Sequence, residues 1–596
     1  MRKPLLFIII FCLLAFSSLV GQQQKAEEKP DPMKNFSLVT ETKPVQENVK
    51  VGFDSITGQD AVTYLKFISS DLLEGRDTAS EGYDIAALYA ASLFELWGIK
   101  PAGDPERPRM SMRMMFQPSQ KPSAPKRSYF QNIPFIETLG TKGMAEVQCQ
   151  KGQLKKTKTF QPNMDYTYYA SETQTLTAPV VFIGYGIQES SLKFDEYKNI
   201  DVKDKFVMML SETPGKDDPE SPFNKGKLKE KYYPPRRRMR RMASPKNDLA
   251  RDKGAIAILM VENAPKDNSD VPRRALDSQR INDERPIYPV PRRRISLAEN
   301  VGPSMPWESI STIRISRKMA DDILGMVGQD VETLKGKIEK TLKSHSMALP
   351  GVSFTVKTEV ETKLVNSMNV LGYIEGSDPE LKKEAIVIGA HLDHLGRRGD
   401  YIFNGADDDG SGSVGVMEIA QAFAKNPVKP KRSIVFALWT GEEKGLLGSR
   451  YYVANSFMKT AANLNLDMIS RVYEKERLAM MARRWGAEIG KEVLKKIDAK
   501  KYVNLSYDAH TPDIGKIMRE NNNHVGLHMH LQEQEEASGG SDHAPFARAK
   551  IPWAFFIAAM TEDYHQPSDT VDKVSPDLME KIIRLTYLAA FDLADR

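Results

Sequence analysis

The chain has 596 residues, too many for one hydrophobic core, so its length predicts two to four domains. An apolar fraction of 41% and a charged fraction of 27% are ordinary for a globular enzyme. The formal net charge of +5 is mild, and lower still without the N-terminal Arg2 and Lys3, so it gives no reason to expect a nucleic-acid partner.

Residues 1–21 have the pattern of a secretory signal peptide. A basic start is followed by the apolar run Leu5–Phe16 and by small residues up to Gly21. The run is shorter than the roughly 18–20 residues that span a bilayer, which disfavours the alternative of a retained helix. No later segment could span a membrane, so we expect an exported protein, periplasmic or extracellular.

Cysteine usage predicts a chain that is stabilised by its core. Cys12 lies inside the predicted leader and lacks the small residues that should precede a lipid-modified cysteine. Cys149 is then alone, so no internal disulfide is expected and Cys149 is interpreted as a structural thiol.

A polar linker is predicted over residues 22–50, followed by the first part of the main domain over 51–137. Helical spacing predicts a helix over Gln59–Glu74 and a second over Tyr83–Trp97, which Gly98 would end. The apolar stripes expected to face the core are Val62, Leu65, Ile68 and Leu72 in the first helix and Ile85, Tyr89, Leu93 and Leu96 in the second.

A β-rich second domain is predicted as an insertion over residues 138–350. Its apolar runs are short and separated, and they include Val180–Tyr185 and Ala255–Val261. Two stretches are strongly basic, 225–241, which contains PPRRRMRRM, and Pro291–Arg294. They are interpreted as solvated surface loops, with a docking patch for an acidic polymer or a membrane surface as the alternative.

Strands and helices alternate over 351–596, which predicts an α/β domain with a mixed, largely parallel sheet flanked by helices. The apolar runs Ala385–Ile388, Ile434–Leu438 and Leu464–Leu466 each end abruptly in His, Asp or Glu. In such sheets the ligand site lies outside the carboxyl ends of the strands, so these polar groups should meet on one edge.

The candidate metal ligands are His391, Asp408, Glu443, Asp467 and His565. Imidazole and carboxylate ligands without thiolate suit zinc, or manganese or cobalt, in a catalytic site. Five ligands are too many for one tetrahedral ion and fit two ions that share one carboxylate.

Asp408 suits the shared position because its glycine-rich loop can turn sharply. Glu442 and Glu443 are neighbours that point different ways on extended backbone, so one could bind metal while the other acts on a water molecule. Asp393 follows His391 by two residues and is placed to accept the free ring N–H of that histidine.

At these residues the chain resembles the zinc-dependent M28 peptidases, which include secreted bacterial aminopeptidases. The matching stretches are GAHLDHLG, NGADDDGSG, TGEEKGLLGS, NLDM, GGSDHAPF and YHQPSDT. LEGRDTASEG is similar to the opening of the family. GYGI, KFVMML and KGAIAILMV give the insertion a weaker resemblance to a protease-associated (PA) domain.

The resemblance implies a zinc-exopeptidase-like fold and two zinc ions per chain. It implies that Asp408 bridges them, that His391 and Asp467 each bind one or other ion, and that Glu443 and His565 complete the ligand set. Glu442 would be the general base, with Asp393 as the partner of His391.

The implied function is an exported aminopeptidase acting on peptides with a free amino end. The alternatives are a glutaminyl cyclase or a carboxypeptidase on the same scaffold, or an inactive receptor-like ectodomain. Side-chain and length preference, the native metal and the oligomeric state are not indicated.

Three further features have weaker interpretations. The tract of His524, His528 and His530 is interpreted as loop or strand surface, with a third metal as the alternative. For Asp542 and His543, a substrate or supporting role near the pocket and a structural role remain open. His394 is interpreted as a bystander.

Overall fold

The computed structural model describes residues 33–106, 126–151, 153–162, 165–168, 173–233, 244–262, 293–298, 310–485, 487–537 and 539–596. The predicted leader and Arg236–Arg241 of the basic loop lie outside these ranges. Within them, no helix combines the length and the apolar character needed to cross a membrane.

Strands and helices are numbered separately along the chain. The strands are β1 Phe36–Leu38, β2 Lys100–Pro101, β3 Phe130–Lys151, β4 Leu154–Phe160, β5 Tyr166–Thr167, β6 Gln174–Phe182, β7 Gln188–Glu189, β8 Phe194–Asp195, β9 Phe206–Leu210, β10 Ala257–Val261, β11 Arg293–Leu297, β12 Thr312–Ile315, β13 Met347–Ile374, β14 Glu384–His391, β15 Gly396–Arg398, β16 Tyr401–Phe403, β17 Ser433–Trp439, β18 Lys459–Leu466, β19 Tyr502–Asp508, β20 His528–Gln534 and β21 Trp553–Ile557. The helices are α1 Glu47–Asp54, α2 Gly58–Ile68, α3 Glu81–Leu96, α4 Gly226–Tyr232, α5 Pro245–Asp252, α6 Arg317–Leu324, α7 Val331–Thr341, α8 Gly412–Lys425, α9 Leu447–Ala454, α10 Lys475–Ala482, α11 Ala487–Lys496, α12 Asp513–Val525, α13 His543–Arg548 and α14 Pro576–Asp595.

The main sheet runs in the order β13-β17-β14-β18-β21-β19-β20-β1. Its centre, from β17 to β21, is parallel, whereas β13, β19 and β1 join their neighbours antiparallel at one or both sides. The predicted α/β class with a mixed, largely parallel sheet is confirmed.

Helices cover both faces of this sheet, which explains the continuous apolar runs of its strands. Ile386 and Ile388 of β14 join a core built with α2, α3, α8 and α14. Ala385 and Val387 join the opposite core, with Tyr452 of α9 and neighbouring aromatic residues. Alternate residues of a strand point to opposite faces, so a strand covered on both faces has to be apolar throughout.

The N-terminal helices differ from their prediction. The first ends at Ile68, and Ser70 begins a separate 3₁₀ turn, which leaves Leu72 86% exposed instead of inward. In α3 half of the predicted stripe is wrong: Tyr89 and Leu93 are half-buried against the core, but Ile85 and Leu96 are exposed. The buried face consists of small residues and two aromatic rings, namely Gly82, Tyr83, Ala86, Ala87, Ala90, Ala91 and Phe94. Alanine lets a helix lie close to its neighbours, and hydrophobic spacing alone does not show this.

The two longest strands, β3 and β13, form one antiparallel ribbon. Its register runs from Phe130–Val370 at one end to Cys149–Val352 at the other. One end of β13 pairs with β17 of the main sheet, while the other part pairs with β6 of the inserted part. Positions 138 and 350, the predicted limits of the insertion, both lie inside these strands. The two parts of the chain therefore share continuous strands.

The inserted part has its own core. Its strands β6, β9, β10 and β12 are parallel, and the two central strands, β9 and β10, are buried along their whole length. Strand β11, however, pairs with β3 next to the main domain, and Ile295 of β11 packs with Leu447 of α9. A segment that the sequence places in the insertion therefore contacts the helix that follows the Glu442–Glu443 pair.

Ion pairs strengthen this contact. Arg293 of β11 binds Asp77 at 2.7 Å and also pairs with Glu137, whose side chain is only 4% exposed. Lys444, the residue after Glu443, binds the second oxygen of Asp77 at 2.6 Å. Asp77 thus connects β11 to the loop that carries the two glutamates.

Replacing Arg293 by alanine should lower the free energy of unfolding by about 2 kcal/mol, because Glu137 would stay buried with one cation fewer. Urea unfolding measures this. Arg294→Ala is the matched control, since Arg294 is the next residue of β11 and is exposed. Equal effects of the two substitutions would show that the buried pair contributes nothing.

Candidate metal centre

The predicted ligands meet at the carboxyl edge of the main sheet. His391 ends β14, Asp467 follows β18, Glu443 follows β17 and His565 lies in the loop after β21. Asp408 lies in the turn between Gly405 and α8. The structure therefore brings together all five residues from different parts of the chain.

Asp408 stands between two groups of ligand atoms. Its Oδ1 lies 3.2 Å from Nε2 of His391, which in turn is 3.7 Å from Oδ1 of Asp467. Its Oδ2 lies 3.0 Å from Nε2 of His565, and that nitrogen is 3.2 Å from Oε1 of Glu443. One carboxylate thus faces both groups, which is the arrangement predicted for a shared ligand.

The donor set fits a metal. Oδ2 of Asp408 and Oε1 of Glu443 are buried and have no hydrogen-bond partner. Buried polar atoms without a partner are costly, and carboxylate and imidazole donors suit zinc. Within the described part of the chain, His391, Asp408 and Asp467 form one group whose ligand atoms lie within 4.8 Å of one another.

The ionisation of the two glutamates differs. Burial, reinforced by the charge of Glu443, raises the pKa of Glu442 well above its ordinary value, against the opposing effect of His391. Burial also opposes ionisation of Glu443, but the nearby His565 and His394 outweigh it and hold the pKa of Glu443 well below its ordinary value. Neighbouring residues of one type thus differ in proton affinity, with Glu442 as the stronger base.

Asp393 supports the site differently from the prediction. The ring Nδ1 of His391 lies 2.9 Å from the backbone oxygen of Asp393, so its N–H is held by a carbonyl and not by the carboxylate. The carboxylate accepts the backbone N–H of Glu442 at 3.0 Å and the hydroxyl of Thr78 at 2.9 Å. Asp393 therefore orients His391 and Glu442 at once, leaving Nε2 of His391 towards the centre.

Comparison with known proteins gives one family match. Residues 369–590 match the model of peptidase family M28. This part of the chain is therefore similar to that family. The matched range contains every predicted ligand as well as Glu442.

Relatives and solved structures agree with this. Leupeptin-inactivating enzyme 1 of Streptomyces exfoliatus is 26% identical over 226 residues, which are 37% of this chain and 40% of that protein. Aminopeptidase YwaD of Bacillus subtilis (strain 168) is 25% identical over 285 residues, or 46% and 52% of the two chains. The chain thus spans about half the length, or less, of these curated relatives. The structure of an aminopeptidase from Aneurinibacillus sp. strain AM-1 shares the fold, with 17% identity, a TM-score of 0.50 and coverage of 92% and 95%.

Arg76 is a supporting residue of the centre whose role the sequence does not reveal, although it lies inside LEGRDTASEG. Its side chain is fully buried and donates to the backbone oxygens of Leu392 at 2.8 Å, Asn404 at 2.7 Å and Gly405 at 3.1 Å, and to that of Ile68. Burial lowers the pKa of Arg76 to about 10, so it stays charged at neutral pH. One guanidinium thus joins the end of α2 to the segments that carry His391 and Asp408.

Asp569 is the second such residue. It accepts the backbone N–H groups of Asp407, at 3.0 Å, and of Asp408, at 3.1 Å, and pairs with Arg471 at 2.7 Å. Asp407 in turn accepts the Ser470 hydroxyl at 2.6 Å. These contacts fix the backbone of the loop that carries Asp408. The signal in the sequence is the acidic residue in YHQPSDT.

The histidines of β20, His543 and Asp542 are not among the grouped ligand atoms of the described residues. His528 accepts the N–H of Asp498 at 2.8 Å, and His530 stacks on Phe36 with ring centroids 4.6 Å apart. Both are in β20, as the strand interpretation predicts, but His528 is buried. His543 stacks on Phe555 at 4.4 Å, and Asp542 accepts the Ser449 hydroxyl. Cys149 is a free, half-buried thiol of β3.

Arg76→Lys should lower the free energy of unfolding by about 3 kcal/mol, because one ammonium cannot replace a planar fork that serves four carbonyls. Denaturant unfolding with metal present and after chelation measures this. Arg397→Lys is the control, since Arg397 is exposed and pairs with Glu74 at the surface. A stability equal to that of the control would contradict the role given to Arg76.

Proposed function

We propose that the chain is an exported zinc-dependent aminopeptidase that removes residues from the free amino end of peptides. The observation that carries the proposal is the shared position of Asp408 between two donor groups, with Glu442, whose pKa is raised by burial, next to Glu443. Two groups of donor atoms that share one carboxylate suit two metal ions. The family match and the aminopeptidase named among the relatives support the reaction class.

Different residues of the centre would bind metal, transfer the proton and hold Glu442 in position. His391, Asp408 and Asp467 would hold one zinc ion, and Asp408, Glu443 and His565 the other. Bound zinc would polarise the scissile carbonyl and lower the pKa of a water molecule, so that the water can lose a proton near neutral pH and attack the carbonyl. Glu442 takes the proton of that water and delivers it to the departing amine. Asp393 keeps Glu442 in place through the backbone N–H of that residue.

Export and the nature of the insertion are parts of the proposal that rest on sequence. The apolar run of residues 1–21 supports a periplasmic or extracellular location. A PA-like insertion rests on its short motifs, together with its separate core and parallel strands.

A substrate panel tests the reaction class. We expect hydrolysis of aminoacyl nitroanilides and of peptides with an amidated carboxyl end, and no hydrolysis of N-acetylated ones, since an aminopeptidase needs the free amine. Chelation should abolish turnover and zinc should restore it. Release of the C-terminal residue from an N-acetylated peptide would indicate a carboxypeptidase. Loss of ammonia from an N-terminal glutamine would indicate a cyclase, and no reaction by the zinc-loaded chain a binding ectodomain.

The two glutamates should separate chemistry from metal binding. Glu442→Gln keeps the side-chain volume but cannot accept a proton, so turnover should fall about 10²–10⁴-fold, or roughly 3–5 kcal/mol, while about two zinc ions per chain remain. Glu443→Gln, the matched variant one residue away, should lose metal and activity together. Turnover and elemental analysis of both variants measure this. Metal loss only in Glu442→Gln would reverse the two roles.

A further inference from the structure

His394 lies inside the centre, although the sequence marks it as a bystander. Its ring Nδ1 is 3.0 Å from Oε1 of Glu443 and 4.0 Å from Oδ2 of Asp408. The side chain is completely buried. These three ligand atoms form a second group within 4.8 Å, beside the one that contains His391.

The ring of His394 has no other polar partner. Neither ring nitrogen has a hydrogen-bond partner, and Glu443 is the nearest acidic group to Nδ1. The two facing oxygens, Oδ2 of Asp408 and Oε1 of Glu443, are also buried without one. A buried imidazole between two such oxygens is costly unless a cation lies among them.

The backbone and a glycine hold this ring in place. The N–H of His394 donates to the backbone oxygen of Arg76 at 3.1 Å. The ring packs on Gly405, where an added Cβ would lie 2.5 Å from the His394 Cγ. Gly405 also has a φ of +56°, which favours glycine. The opposite side is limited by His565, whose ring centroid is 5.7 Å away at a steep angle.

We propose that His394 is a metal ligand, at the position formed by Asp408, Glu443 and His565. This inference rests on the proposed metal centre and goes beyond its five predicted ligands. The position would have two imidazoles and two carboxylates, enough to close a tetrahedral site. The position of His391 and Asp467 would have three protein donors and stay open, as catalytic zinc sites do.

The centre is therefore asymmetric. The closed position should bind the first equivalent of zinc, and the open position the second, where a water molecule and the substrate have room. Because Asp408 belongs to both, filling the closed position also fixes the carboxylate that the open one uses.

X-ray absorption on the unaltered full chain tests this without any substitution. The protein is stripped by chelation and given one equivalent of zinc. Two imidazoles per zinc ion are expected, since His394 and His565 share the closed position, whereas one imidazole would overturn the proposal. Failure to bind zinc at all would instead contradict the proposed function.

A pair of leucine variants gives a second readout, measured by competition with a chromophoric chelator. His394→Leu should weaken the tighter zinc site by roughly 100-fold or more, since even the loss of an outer partner costs about 10–100-fold. His543→Leu is the control, because His543 is also fully buried and without hydrogen bonds but packs on Phe555. Equal affinities in the two variants would overturn the proposal. If His394→Leu fails to fold, the imidazole count of the unaltered chain decides.

Discussion

The burial of several carboxylates at one edge of the main sheet is the constraint on which the site depends. Asp408, Asp409, Glu442, Glu443 and Asp467 are brought together where strands of the main sheet end, largely shielded from water. Charges that are removed from water need counter-charges of comparable size. The imidazoles of the centre supply part of this, which is why Glu443 raises the pKa of His565 to about 10 although burial opposes it. Divalent cations meet the same need more completely, so metal binding and stability of the fold are linked.

A second set of charged residues, next to the ligands, fixes the loops in which the backbone leaves the sheet. Arg76 gathers carbonyl groups, whereas Asp569 and Asp393 gather N–H groups. Each charged side chain is matched to backbone dipoles of the opposite sign. Precise placement of ligands depends on such partners.

The sequence predicts the candidate ligands better than it predicts the residues that hold those ligands in place. Apolar runs ending in His391 or Asp467 reveal the strand ends, because burial on both faces leaves no polar residue until the strand stops. Arg76 and His394 escape detection because their contacts come from the tertiary structure. The carbonyl of Asp393 cannot be distinguished from its carboxylate by spacing alone. Likewise, alternation of apolar residues shows neither the length of β3 and β13 nor their continuity through both parts of the chain.

The order of the elements also has a consequence for synthesis. Phe36 of β1 pairs with His530 of β20, and His565 follows every other ligand along the chain. At about 5–20 residues per second, a ribosome takes tens of seconds to make the chain from Phe36 to His565. Until then Asp408 has only part of its set, and the first strand has no neighbour. In the proposed centre, a growing chain would therefore lack a complete ligand set until His565 has been made.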